Sequence, residues 1–165
     1  MQNIEITTKI TEVSGLSELS SIEQELVQNA LDSAKKSYAP YSNFHVGASL
    51  LLENGKIING NNQENAAYPS GLCAERVAMF YANANYPEVK IETMVIVALN
   101  RNGLTPKPVY PCGSCRQVMI ENESRLKSNI KLILVGKKNI HILENTSQLL
   151  PMGFDKSVLL GKSEE

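Results

Sequence analysis

The amino-acid sequence predicts an α/β fold, a three-layer sandwich in which helices cover a mixed five-stranded sheet. Along the 165 residues, segments with helical apolar spacing alternate with short apolar runs of strand length. The pair Asn54-Gly55 separates two of these runs and is typical of a tight hairpin. Because helices separate the later strands, at least one strand pair is expected to be parallel.

Three helices are predicted from apolar spacing and from helix-start signals. The first begins at Ser20, which has the capping-box spacing to Glu23, and ends near Tyr38. The second covers residues 72–84, and the third covers residues 112–125.

Five strands are predicted from apolar runs and turn signals. The hairpin joins residues 44–52 to residues 56–60. Residues 93–99 form a continuous apolar run with the length of a buried strand. Residues 130–135 and 140–143 complete the sheet.

One domain is expected from the chain length, with residues 19–165 as the domain and residues 1–18 as a polar N-terminal extension. Sixteen basic and seventeen acidic residues leave a charge of −1, too balanced for a surface that neutralises many phosphates. The apolar runs are also far shorter than a membrane span. We therefore expect no nucleic-acid and no membrane partner. The start of the chain has no export signal, which predicts a cytoplasmic location.

The three cysteines, Cys73, Cys112 and Cys115, form the most informative pattern in the chain. An odd number without an export signal favours metal binding or thiol chemistry over disulfides. Cys112 and Cys115 lie one turn apart at the start of the third helix, and Cys73 opens the second. If these helices follow parallel strands, their first turns meet at one sheet edge. Three protein ligands with an open fourth position are typical of a catalytic zinc site.

Other interpretations of these residues stay open at this point. A cysteine can be a small buried hydrophobic residue, and the C-x-x-C pair at residues 112–115 could be a redox pair. His45 and His141 are weak candidates for a fourth ligand, because both lie in predicted strands without paired ligand spacing. Glu75 follows Cys73 by two residues and has the place of a general base. An acidic residue in a first helical turn also stabilises the helix by itself.

Two segments around the cysteines resemble the zinc-ligand motifs of the cytidine deaminase family, in its small, homotetrameric, three-cysteine branch. They are CAER at residues 73–76 and PCGSCRQV at residues 111–118. Three further segments are similar to the family: YSNFHVGA at 41–48, GNNQENAAY at 60–68 and LLPMGF at 149–154. The chain departs from the family pattern at Asn61, where the family frequently has Cys, and at Tyr110, where it frequently has Ser. It also departs from the pattern in the stretch 69–71.

The resemblance implies one Zn²⁺ per chain, held by the three cysteines, in a cytidine deaminase-like catalytic domain. It implies that Glu75 moves protons while water attacks the substrate. It further implies that Arg76 hydrogen-bonds a zinc-bound sulfur, with Gln117 supporting it.

A substrate site follows from the same resemblance. Phe44 would lie against the pyrimidine ring, and Asn62 with Glu64 would hold the ribose 3′-hydroxyl. Tyr68 would line the sugar end or a subunit interface, and Ala74 would offer its backbone N–H to the base carbonyl.

The implied activity is zinc-dependent hydrolytic deamination of cytidine and deoxycytidine to uridine and deoxyuridine, with release of ammonia, in pyrimidine salvage. In a homotetramer with shared active sites, Phe154 would close a neighbouring subunit's pocket. One alternative is deamination of a related aminopyrimidine nucleoside, such as a cytosine-containing antibiotic. Another is a structural zinc-binding module without catalysis. A polynucleotide deaminase is disfavoured by the balanced charge.

Overall fold

The computed structural model describes residues 1–160 and confirms the α/β class, with one mixed sheet between two layers of helices. Residues 161–165, the end of the predicted domain, lie outside the described residues. The helices are α1 (Ser21–Ala34), α2 (Ala74–Asn85), α3 (Gly113–Leu126) and α4 (Lys156–Leu160). The strands are β1 (Thr11–Val13), β2 (His45–Leu52), β3 (Ile57–Asn61), β4 (Ile91–Asn100), β5 (Gly103–Leu104), β6 (Lys131–Val135) and β7 (Ile140–Leu143).

The sheet has seven strands instead of the predicted five. The two additional strands are β1, in the polar N-terminal extension, and β5, which is two residues long. Neither has an apolar run, because each lies in a mostly exposed part of the chain and is defined by its pairing with β7 or β4. Local sequence patterns therefore carry no signal for them.

Helix α1 begins at the predicted position, since the backbone N–H of Ser20 donates a 2.8 Å hydrogen bond to Glu23 Oε2. It ends at Ala34, earlier than the prediction near Tyr38. Among residues 1–160, no helix is both long enough and apolar enough to cross a membrane.

Strand direction brings the starts of α2 and α3 together. The strand order is β1-β7-β6-β4-β2-β3, and β4 pairs with β6 in parallel, as predicted for at least one pair. Strands β3 and β4 both run antiparallel to β2, so they point the same way. Because α2 follows β3 and α3 follows β4, both helices begin at the same sheet edge.

Strand β4 shows why the structure has three layers. Its residues Met94 and Ile96 belong to a core cluster with α2 and α3, whereas Val95 and Val97 belong to a second cluster with α1. Successive side chains of a strand point to opposite faces, so a strand covered on both faces is apolar throughout. This explains the continuous apolar run in the sequence.

Helix α2 lies very close to β3 at Gly60. A Cβ atom at this position would lie 2.6 Å from both the carbonyl oxygen of Ala74 and the nitrogen of Ala78. Only glycine permits this approach. The contact holds the first turn of α2, with Cys73 before it and Glu75 within it, against the sheet.

Candidate active site

The three cysteines converge where α2 and α3 begin. Cys73 is the N-cap residue of α2, Cys112 is the N-cap residue of α3, and Cys115 lies in the first turn of α3. The Sγ atom of Cys112 lies 3.7 Å from that of Cys73 and 3.5 Å from that of Cys115. All three sulfurs lie within 4.8 Å of one another.

This sulfur triangle has the dimensions of a zinc site. Zinc–sulfur bonds of about 2.3 Å in tetrahedral geometry place two thiolate sulfurs about 3.8 Å apart. Within residues 1–160 no other group of three potential ligands is close enough to hold a metal ion. His45 hydrogen-bonds Ser37, and His141 hydrogen-bonds Tyr110, so neither histidine belongs to the cluster. Three protein ligands leave a fourth position for water or substrate.

Positive groups surround the sulfurs. The pKa of the Cys73 thiol falls to about 5, mainly because Cys115 donates a hydrogen bond to it, with help from Arg76. The hydrogen bond between Cys115 and Cys73, together with burial, raises the pKa of the Cys115 thiol. Arg76 Nη2 lies 3.9 Å from Cys73 Sγ. Three thiolates and Zn²⁺ sum to −1, and the helix N-termini and Arg76 offset this negative charge.

Glu75 is a buried carboxyl group beside the cysteines. Glu75 is 4% exposed. Burial raises the pKa of its carboxyl group, and the Cys73 thiolate raises it further. Glu75 lines the same cavity as Cys73 and Cys112. A raised pKa makes it easier for a carboxyl group to carry a proton at neutral pH, as a proton-transfer group requires.

A cavity of about 760 Å³ opens above the cysteines. It brings together predicted site residues from β2, the loop after β3, the start of α2 and the loop before α3: Phe44, Asn62, Glu64, Tyr68, Cys73, Glu75, Arg76 and Cys112. A cavity of this size, mostly apolar with a few convergent polar groups, suits a small organic substrate.

The site thus combines three clustered cysteine thiols, a buried carboxyl group and a cavity. The sequence profile described as "Cytidine and deoxycytidylate deaminase zinc-binding region" matches residues 20–128. The chain belongs to this deaminase family.

Similar proteins support the assignment over most of the chain. The cytidine deaminase of Halalkalibacterium halodurans is 44% identical over 132 residues, which cover 79% of this chain and 92% of that protein. The cytidine deaminase of Sporosarcina psychrophila is 34% identical over 142 residues, covering 86% and 98%. The solved cytidine deaminase structure from Burkholderia pseudomallei has a TM-score of 0.69 and 34% identity, covering 82% and 100%. The predictions of a deaminase family enzyme and a zinc cofactor are therefore confirmed.

Within the deaminase cavity, Asn62 is fixed by the backbone of the strand beside it. Its Oδ1 atom accepts a 2.7 Å hydrogen bond from the N–H of Val46, and its Nδ2 atom donates a 2.9 Å bond to the carbonyl of Phe44. One N–H of the amide group stays available for a substrate. The same contacts hold the backbone of Phe44 at the cavity wall.

Glu64 is held in a similar way. Its Oε2 atom accepts a 2.9 Å hydrogen bond from the N–H of Tyr41, and its Oε1 atom accepts one from the hydroxyl of Ser42. The Ser42 hydroxyl and the Tyr41 N–H lower the pKa of Glu64, so it is a carboxylate at neutral pH. Ser42 lies in the family-like segment 41–48, but no feature of the sequence indicated its hydrogen bond to Glu64, which is 22 residues away.

Tyr68 is exposed, whereas Ala74 is buried. Tyr68 lines the cavity, is 77% exposed, and contacts Tyr41 edge to face, with ring centroids 6.3 Å apart. Ala74 is fully buried as the first residue of α2. The N–H groups in a first helical turn have no partner within the helix, so they are free to bind a ligand.

Gln117 and Phe154 lie together, outside the deaminase cavity. Gln117 Nε2 donates a 2.7 Å hydrogen bond to the carbonyl of Phe154. Gln117 lines a smaller cavity of about 270 Å³, and Phe154 is 55% exposed. The structure thus places Gln117 with the C-terminal segment, whereas the resemblance placed it with Arg76. Residues two apart on a helix point in different directions, so Gln117 turns away from Cys115.

Arg116 has a role that the sequence did not indicate. Its Nε atom donates a 2.8 Å hydrogen bond to the carbonyl of Pro111, and its Nη1 atom donates one of 2.8 Å to the carbonyl of Leu149. It therefore joins the loop before Cys112 to the C-terminal segment. Its place beside Cys115 in the family-like segment was the only signal.

Proposed function

We propose that this deaminase hydrolyses cytidine and deoxycytidine to uridine and deoxyuridine, releasing ammonia. The observation that carries the proposal is that Glu75, a buried carboxyl, lines one cavity together with Cys73, Cys112 and the polar pair Asn62 and Glu64. Hydrolysis of a 4-amino group needs a proton shuttle beside a metal, and recognition of a nucleoside needs polar groups for the sugar. The similar proteins from two other organisms carry the name cytidine deaminase.

In this proposal, Glu75 transfers both protons of the attacking water. A bound zinc ion lowers the pKa of water, so that a nucleophile is available at neutral pH. As the water oxygen attacks C4, Glu75 takes the first proton and delivers it to ring N3. Glu75 then takes the second proton and delivers it to the amino nitrogen. The C4–N bond breaks and ammonia leaves, while C4 keeps the oxygen as the carbonyl of uridine.

Other groups of the chain orient the substrate. Phe44 lies against the base, Ala74 N–H binds the base carbonyl, and Tyr68 borders the sugar. Asn62 and Glu64 bind the 3′-hydroxyl with the hydrogen-bonding capacity that their backbone contacts leave free. Because those contacts fix both side chains before the substrate binds, little conformational entropy is lost on binding.

We also propose a homotetramer in which Phe154 closes a neighbouring subunit's cavity. The supporting observation is that Phe154 is half exposed and does not line the cavity of its own chain. A cytoplasmic location and a place in pyrimidine salvage stay predictions from the sequence.

The test is to incubate purified protein with cytidine and to follow the loss of cytosine absorbance and the release of ammonia. Zinc is measured in the same sample, and the Cys112→Ser variant serves as the control for metal-dependent turnover. One zinc per chain with ammonia release in the wild type alone supports the proposal. One zinc per chain without ammonia from any cytosine nucleoside would favour a structural zinc module. Turnover of a cytosine-containing antibiotic in preference to cytidine would favour that alternative substrate.

A further inference from the structure

We propose that Tyr110 determines base specificity in this cavity, and that Glu12 and His141 act as positioning residues that hold it. The N-terminal strand β1 would then control which substrates the site accepts. This inference rests on the proposed function, because it concerns the selectivity of the same reaction.

A continuous chain of hydrogen bonds links β1 to the cavity. The hydroxyl of Tyr110 lies 2.5 Å from His141 Nδ1, and His141 Nε2 lies 2.8 Å from Glu12 Oε2. Asn139 Nδ2 donates a second hydrogen bond to the same oxygen of Glu12. The rings of Tyr110 and His141 are tilted by 55°, with centroids 5.8 Å apart.

The charge state of Glu12 determines which group donates in each of these hydrogen bonds. Hydrogen bonds from His141 and Asn139 lower the pKa of Glu12, so it is a carboxylate, which only accepts hydrogen bonds. The Nε2–H of His141 therefore donates to Glu12. In the neutral imidazole, Nδ1 is then the acceptor for the Tyr110 hydroxyl. Each group has one role, so the chain fixes the position of the Tyr110 hydroxyl and thereby the direction in which the side chain points.

The sheet fixes the outer end of this chain. Glu12 and His141 are direct partners in the antiparallel pairing of β1 with β7. Pairing of Thr11 with Ile142 and of Val13 with Ile140 sets this register. A slip of one residue would turn Glu12 to the other face of the sheet.

Tyr110 belongs to the wall of the cavity. It lines the cavity two residues before the ligand Cys112, and it also packs against the core cluster beneath α2 and α3. If the cysteines hold the metal at which deamination occurs, the exocyclic and adjacent positions of the base lie near the loop that carries Tyr110 and Cys112. A tyrosine side chain whose hydroxyl is held in place cannot swing away, so it limits the space for substituents there.

The inference predicts how selectivity changes. The readout is the kcat/KM of cytidine relative to N4-methylcytidine and to 5-methylcytidine. Tyr110→Ser should raise the relative kcat/KM of at least one methylated substrate by about tenfold or more, since one methyl group in a tight pocket is worth roughly this factor. Glu12→Ala should raise the relative kcat/KM of the same methylated substrate by about threefold, the scale of one lost hydrogen bond.

Two variants separate positioning from general stability. Glu12→Gln keeps an acceptor for His141, so it should retain the wild-type selectivity that Glu12→Ala loses. Glu5→Ala is the matched control, because it removes the same charge from an exposed position of the same N-terminal extension. In a Tyr110→Phe background, which lacks the hydroxyl, Glu12→Ala should have no further effect.

Nuclear magnetic resonance tests the link without turnover. The chain has only two histidines, so labelled imidazole nitrogens report separately on His45 and His141. Tyr110→Phe should shift the Nδ1 resonance of His141 and leave His45 unchanged.

The outcomes distinguish this inference from the proposed function. If the wild type deaminates no cytosine nucleoside, the proposed function fails and this inference fails with it. If the wild type is active but Tyr110→Ser and Glu12→Ala keep the wild-type selectivity for both methylated substrates, only this inference fails. An unchanged His141 resonance in Tyr110→Phe, or equal effects of Glu12→Ala in both backgrounds, would also overturn it.

Discussion

Arg76 lies one turn after Cys73 on α2 and places its Nη2 atom 3.9 Å from the cysteine sulfur. Its Nε atom is buried without a hydrogen-bond partner among residues 1–160. A partly buried guanidinium beside a sulfur cluster of net negative charge weakens electron donation from that sulfur to a metal. This contact therefore connects helix geometry to the reactivity of the zinc site.

The Arg76→Ala variant should keep one zinc per chain but lose turnover by about 10-fold to 100-fold, the usual scale for a partner of a metal ligand. The three cysteines are unchanged, whereas the thiolate charge is no longer offset. Arg76→Lys should recover part of the rate, because it keeps the positive charge. Zinc content and kcat measured on the same samples check this. An unchanged kcat in Arg76→Ala would assign Arg76 to packing alone.

The Glu75→Gln variant should keep its zinc and lose turnover by about 10² to 10⁴-fold, the scale for removal of a proton-transfer group. Ammonia release per zinc-loaded chain is the measurement. Rapid ammonia release from this variant would show that another group moves the protons.

Thermal unfolding of the metal-free chains is the control for Glu75→Gln. Burial raises the folded-state pKa of Glu75, so its carboxyl favours folding below its unfolded pKa of about 4.3, and this contribution is lost as the pH rises through the folded-state pKa. Glutamine has no charge to bury. At pH 7, Glu75→Gln should therefore unfold at a temperature no lower than the wild type.

Removal of the substrate 3′-hydroxyl should lower kcat/KM by at least about 10²-fold, because a site built to bind a hydroxyl rejects the analogue that lacks it. Asn62 and Glu64 already have backbone partners, which reduces the cost of leaving them without the hydroxyl. Deoxycytidine and 2′,3′-dideoxycytidine differ only at this position and form the matched pair. Equal kcat/KM values would refute the role of Asn62 and Glu64.

The Phe154→Ala variant should raise KM while each chain keeps its zinc, since the three ligands belong to one chain. Mixed tetramers of Phe154→Ala with Glu75→Gln should recover part of the wild-type affinity. Some cavities then combine an intact Glu75 from one chain with an intact Phe154 from another. Light scattering measures the oligomeric state, and subunit exchange is verified on the same samples. A fully active monomer, or no recovery after exchange, would argue against a shared cavity.

The sequence by itself determined the elements that depend on local chemistry. The spacing of apolar residues located α1, α2 and α3 within a few residues, apart from the end of α1. The number of the cysteines and their positions at helix starts favoured a metal site, and the resemblance to the deaminase family implied zinc. Helix periodicity, capping and ligand spacing are all short-range properties, so they can be read from neighbouring residues.

Only the tertiary structure decided which distant residues meet. The sequence made the convergence of the cysteines conditional on strand direction, and the pairing of β3, β2 and β4 supplied that direction. Glu64 depends on Ser42, Arg116 on Leu149, and Tyr110 on His141 and Glu12. These contacts join residues that are 22 to 129 positions apart in the sequence, so no local pattern records them. They exist because the hydrophobic packing of the sheet and helices brings those segments together and buries enough surface to hold them.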